Sequence, residues 1–143
     1  MQVDKVYRMK AVSWDKWRGS LDGRPTMLIK NILSHRGYKL DVHAFVREDD
    51  LDCFHTHSAL SFRIVLWGGY IEELENGTKN VWFPLRFGFV TPEYSHRVDK
   101  IIFSKAYSLW IRWPKTHETQ LAGKGWVQQA DNSKHIIQAK ESQ

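Results

Sequence analysis

Two histidines stand one residue apart in the stretch "DCFHTHSALSFRIVLWGGY", residues 52–70, and a neutral imidazole is a ligand for iron, zinc, copper or nickel. In a strand, residues i and i+2 project from one face with Cα atoms roughly 6.5–7 Å apart, so His55 and His57 can aim both rings at one point. Two such donors make half a metal site, and a stable site needs at least a third. The remaining histidines are His35, His43, His96, His117 and His135. His96 is the partner to expect, because "TPEYSHRV" places it straight after a proline-containing turn, at the entry to a further strand. The bland description of the same residues is two exposed histidines on a polar strand end and a third in a solvated loop.

Coordination chemistry says what such a site can do. Three facial histidines on ferrous iron leave room for a bidentate substrate and O₂ together. On zinc they leave one tetrahedral position for a water whose pKa falls toward about 7, which suits hydration, hydrolysis or isomerisation. Neutral ligands leave the metal its full double charge, which attracts a carboxylate or thiolate.

Further candidates surround these three. Cys53 shares parity with His55 and His57 and is read as a fourth ligand or redox-sensitive thiol, or as a small buried apolar residue. If alternation continues past His57, Ser61 and Arg63 face inward, and Arg63 can clamp a carboxylate by two parallel hydrogen bonds. A bulge would reverse the choice, filling the interior with Phe62, Ile64 and Leu66 and exposing Arg63. Asp41, His43, Phe45 and Arg47 share one face of another strand, which either lines a pocket or meets solvent. His43, Arg47 and Tyr94 are therefore candidate substrate contacts.

Strands must position all of these. "TMLIKNIL" (26–33), "KLDVHAFVRE" (39–48), "LSFRIVLW" (60–67), "YIEEL", "VWFPLRFGFVT", "HRVDKIIFS" and "AYSLWIRW" carry the β signal. Gly68-Gly69 and Asn76-Gly77 supply hairpin turns. Only the first twenty residues and the segment after Lys115 lack this character. Seven or so short strands predict an all-β antiparallel sandwich or barrel.

Composition agrees. A chain of 143 residues suits one domain, residues 1–143. Seven Trp, seven Phe and five Tyr favour sheet over helix, and Trp67, Trp82, Trp110, Trp113 and Trp126 are read as core and barrel-end packing. The N-terminal stretch shows no signal-peptide pattern and no window approaches a membrane span. With Cys53 the only cysteine, a reducing cytoplasm is the simplest setting. The net charge of +5 is spread along the chain with no basic block, so nucleic acid is not the expected partner.

The run "FHTHSALSFRIVLWGGY" followed by "GFVTPEYSHRV" resembles the two motifs of the cupin superfamily, double-stranded β-helix or jelly-roll barrels that hold one metal. The resemblance matches His55, His57 and His96 to the ligand histidines and Gly68 to the turn glycine. Ser61 or Phe62 stands where that pattern has an acidic ligand, which leaves a three-histidine site similar to that of the thiol dioxygenases. The pieces "AFVRE", "FHTHS", "GGY", "SHRV" and "GKGWV" also resemble a family of small bacterial and phage cupins, covering about residues 26–127. Thr56 and Ser58 depart from that family's His-Asp-His-Pro motif. The resemblance implies a cupin barrel over 26–127 with a polar tail from 128 to 143, either disordered or packed as a short helix. It implies a mononuclear metal, Fe(II) first and Zn, Mn or Ni as alternatives. It further implies an oxygenase on a small polar or anionic molecule, with a zinc or manganese isomerase or lyase, or a non-catalytic binding protein, as rivals. The aromatic ends of the chain suit a homodimer interface.

Overall fold

Period-two patterning broken by glycine, proline and asparagine dictates short strands. A computed structural model describes residues 14–130 and 133–139, and within them it shows strands and no helix. The strands are β1 (Lys16–Gly19), β2 (Pro25–His35), β3 (Tyr38–Phe45), β4 (Cys53–His55), β5 (Ser61–Trp67), β6 (Tyr70–Leu74) and β7 (Lys79–Trp82). They continue as β8 (Phe87–Val90), β9 (His96–Ile101), β10 (Ala106–Arg112), β11 (Leu121–Gly123), β12 (Trp126–Ala130) and β13 (Ser133–Ile137). All pair antiparallel, in a first sheet ordered β13-β12-β1-β2-β3-β10-β5-β8 and a second ordered β11-β4-β9-β6-β7. This is a two-sheet jelly roll.

The sheets close on a core to which both contribute. Met27, Ile29, Phe45, Val65 and Ala106 of the first sheet pack with Tyr70, Trp82 and Val98 of the second. Removing a large apolar side chain of this kind from water is worth about 1.5–3 kcal/mol. At the β5–β6 connection Gly68 has φ of 75°, and a Cβ there would lie 2.3 Å from the Lys105 carbonyl oxygen. Only glycine makes that turn. Around Asn76-Gly77, Leu74 N donates to Thr78 O at 2.9 Å, closing the β6–β7 hairpin.

The sheet is larger than the sequence pattern suggests. "VWFPLRFGFVT" is two strands, not one, because Pro84 lacks a donor and Leu85 turns the chain with φ of 71°. β1 precedes residue 26, and β12 and β13 carry the first sheet past residue 127, so the sheet exceeds the 26–127 span. The tail from 128 forms neither a helix nor a disordered segment over its described part: β13 pairs with β12, Gln128 opposite His135. β13 is an edge strand exposed along most of its length, so no hydrophobic period marks it. The N-terminal stretch 1–13 and the end of the tail, 140–143, lie outside the described residues.

Candidate metal centre

β4 and β9 are neighbours in the second sheet, and their register sets His55 directly opposite His96. His57 lies just beyond β4, in a loop that separates it from β5, rather than at the head of one continuous strand. Its backbone N–H donates to Pro92 O at 3.0 Å, so the proline turn before β9 holds it in place. The three ring centroids are 4.9 to 5.6 Å apart, and one ligand nitrogen from each ring lies within 4.8 Å of the others.

Each ring also has an outer anchor. Nδ1 of His55 faces Cys53 O at 3.4 Å, Nδ1 of His57 faces Tyr94 O at 3.2 Å, and Nδ1 of His96 faces Glu72 Oε2 at 2.6 Å. Carbonyl oxygens only accept, so the Nδ1 atoms carry the protons and each Nε2 keeps its lone pair. Burial drives all three imidazoles toward the neutral form, helped at His55 by the Arg18 charge and at His57 by His96, and partly opposed at His96 by Glu72. Neutral rings with free, convergent Nε2 atoms and anchored Nδ1 atoms are what one transition-metal ion requires. The residues fit the group.

Glu72 is the hub of the outer layer. Its carboxylate accepts Arg63 Nη1 and Nη2 at 3.0 and 3.1 Å, Trp82 Nε1 at 2.8 Å, and the Tyr94 hydroxyl. Burial opposes its charge, but the His96 hydrogen bond and the Arg63 guanidinium overcome this and hold the carboxyl well below the usual range. Glu72 thus supplies the carboxylate that the ligand motif lacks, one shell out. The sequence signal was the parity of Tyr70 and Glu72 in "YIEEL", which puts a glutamate on a buried face.

The remaining candidates separate. Alternation does continue into β5: Ser61, Arg63 and Val65 are buried while Phe62, Ile64 and Leu66 point outward. Arg63, however, lies behind the histidines with its guanidinium 3.5 Å from the Trp82 ring centroid. Its pairing with Glu72 leaves it no fork for a substrate carboxylate. Tyr94 belongs to the same outer cluster. Arg47 turns away to Ser20 Oγ and Arg24 O, both at 2.8 Å. Cys53 packs with Leu121 and Trp126, burial pushes its thiol up to about 12, and it lies outside the three-histidine group. His43 is different: it lines a cavity that opens onto the three histidines, with its ring stacked 4.9 Å from Trp110. Asp41 and Phe45 line the same cavity, so this face of β3 lines a pocket.

The cavity holds about 160 Å³, room for a molecule about the size of benzene. Trp110 stacks on His57 and Trp126 lies 4.9 Å from His55.

No family model and no curated protein sequence matches the chain. Its folding pattern does match solved structures. A cupin-like protein from Thermotoga maritima superposes with a TM-score of 0.60 at 12% identity, over 80% of this chain and 90% of that one. The fold is that of a cupin. Fe(II) HppE matches with a TM-score of 0.58 at 12% identity over 73% of this chain. A structure of DMSP lyases matches at 0.54 and 12% identity over 68% of it. This chain spans 62% of the HppE chain and 53% of the lyase chain. Among its described residues no helix is long and apolar enough to cross a membrane.

Proposed function

We propose that this cupin is a mononuclear metalloenzyme, an Fe(II)-dependent oxygenase of a small polar or anionic molecule, with His55, His57 and His96 as ligands. The observation that carries the reading is the inward set of three Nε2 lone pairs, each fixed by an anchored Nδ1, at the wall of a cavity of substrate size. When bound, ferrous iron supplies a redox-active Lewis acid with open positions for substrate and O₂. The protein's part is orientation. Glu72 holds the His96 ring, Trp110 and Trp126 pack on His57 and His55, and neutral His43 presents its ring to the substrate space. The likeness to Fe(II) HppE supports iron.

A zinc or manganese lyase or isomerase is the second reading, favoured by three neutral donors of the kind zinc accepts and by the likeness to DMSP lyases. We infer a reducing, cytoplasmic setting, which suits both ferrous iron and an unpaired Cys53. A small-molecule substrate and a second copy of the chain are the partners we propose; nucleic acid and membrane are not among them.

Metal analysis by mass spectrometry on anaerobically purified protein tests the site, with His55→Ala and His96→Ala alongside. Near-stoichiometric iron in the wild type, lost in both variants, is the expected result. Zinc or manganese lost in the same way would select the lyase or isomerase. Protein that takes up no metal under any loading condition would refute both enzyme readings and leave a non-catalytic binding cupin.

A further inference from the structure

Arg18 stands out in the cavity because, among the described residues, no ion pair answers its charge. It projects from β1 into the space beside the histidines, its guanidinium carbon 4.1 Å from the centroid of the Trp126 ring that also packs on His55. Its Nε is buried with no hydrogen-bond partner, and Nη2 finds only the Met27 sulfur at 3.7 Å. Among the described residues no carboxylate pairs with it. Other cations of this chain are answered: Arg63 by Glu72, Arg97 by Glu73 and Asp99, Lys79 by Asp99.

Three more cations, Lys16, Arg112 and Lys115, line the same cavity without an ion-pair partner among the described residues. The acid among the lining residues is Asp41, whose Oδ1 already accepts Asn31 Nδ2 at 2.8 Å. Asp49 is the carboxylate whose charge most favours protonated Arg18, but its Oδ2 accepts Val98 N at 2.8 Å and it does not line the cavity. Burial first and then Lys39 lower the Lys16 ammonium, as do Arg18 and Arg112, while Asp41 pulls the other way. A half-buried guanidinium whose Nε is fully buried and which has no carboxylate partner is costly unless a ligand supplies the anion.

We propose that Arg18 is the substrate-recognition residue of this cavity, receiving an oxyanion group of carboxylate or phosphate type from a molecule that reaches the three histidines. This rests on the metalloenzyme reading for what the histidines do, but not for the anion site itself. The guanidinium fork matches either oxyanion by two parallel hydrogen bonds, and its stacking on Trp126 presets the plane of the fork. Lys16, Arg112 and Lys115 make the rest of the cavity attractive to the same ligand.

The test is calorimetric titration of metal-free and metal-loaded protein with malonate, with inorganic phosphate and with neutral propionamide. Malonate or phosphate should bind the wild type, the preferred one identifying the oxyanion class, and propionamide should not. Loss of a charge-assisted pair predicts weakening of about tenfold or more in Arg18→Met, with part of the affinity kept in Arg18→Lys. Arg18→Gln serves as a second neutral variant should the methionine variant fail to fold. Metal stoichiometry in the folded variants should match the wild type. Unchanged anion affinity in the neutral variants, or no anion binding by the wild type, overturns the proposal. Anion binding by metal-free protein that Arg18→Met abolishes sustains it even if no metal is ever taken up. Full metal loading with indifference to anions sinks it and leaves the metal reading standing.

Discussion

Glu72 links the three-histidine cluster to the rest of the protein, and its substitution separates two effects. Its carboxylate is fully buried and shared among Arg63, His96, Trp82 and Tyr94. Glu72→Gln should weaken metal affinity by about 10–100-fold, because the anchor of the His96 ring is lost. It should also cost about 3–5 kcal/mol of stability, because the Arg63 charge is left unanswered in the core. Adding Arg63→Met should recover much of the stability and none of the metal affinity. Chemical denaturation and competitive chelation read the two quantities on the same samples, and recovery of both together would show that Glu72 acts on the metal only through stability. The clustering of His55, His57 and His96 was legible, from the i, i+2 spacing and the proline turn together with the likeness to the two cupin motifs. Their support was not. Glu72 and Arg18 each sit on a strand whose neighbours in sequence read as ordinary charged surface, and only the pairing of β6 with β9 and of β1 with β12 brings them to the site.

At the scale of elements, β4 is three residues long and owes its placement to β11, its antiparallel neighbour. Gly123 ends β11 with φ of 80°, and a Cβ there would fall 2.0 Å from the Asp52 carbonyl oxygen, one residue before β4. Gly123→Ala should therefore cost about 1–3 kcal/mol and loosen His55, which pairs with Leu121 across the same ladder. Gly77→Ala is the control: φ is 83° but nothing lies within 4 Å of the added carbon. That variant should lose only the cost of the strained backbone, about 1 kcal/mol, with metal affinity unchanged. Equal effects of the two substitutions on metal binding would show that the β4–β11 ladder does not position His55. β5 and β10 were legible because alternate residues are buried along them, and β2 because its first five residues form one buried run. β11 is too short to show a period, and β13 buries too little to have one.

For the whole molecule, the outer face of the first sheet is the feature the fold leaves unexplained. Phe87 and Phe89, each 65% exposed, and Leu85, 72% exposed, flank Phe62 on β5, whose ring lies 5.8 and 5.3 Å from those of Phe87 and Phe89. Trp67 and Phe103 continue the apolar surface at the far end of β5. An exposed apolar patch of this kind marks an interaction surface. β8 is the terminal strand of its sheet, so its outer edge carries unpaired backbone groups beside the exposed aromatics. An antiparallel pairing of β8 with β8 of a second copy satisfies that edge and buries the same aromatics from both sides, the self-complementary contact of a two-fold dimer. Light scattering coupled to size exclusion should therefore report a dimer. Phe87→Lys with Phe89→Lys should shift it to monomer by placing four like charges across one small interface, while the metal content stays that of the wild type, since neither residue lines the cavity. A wild type that is monomeric at high concentration, or a lysine variant that stays dimeric, would move the interface away from β8.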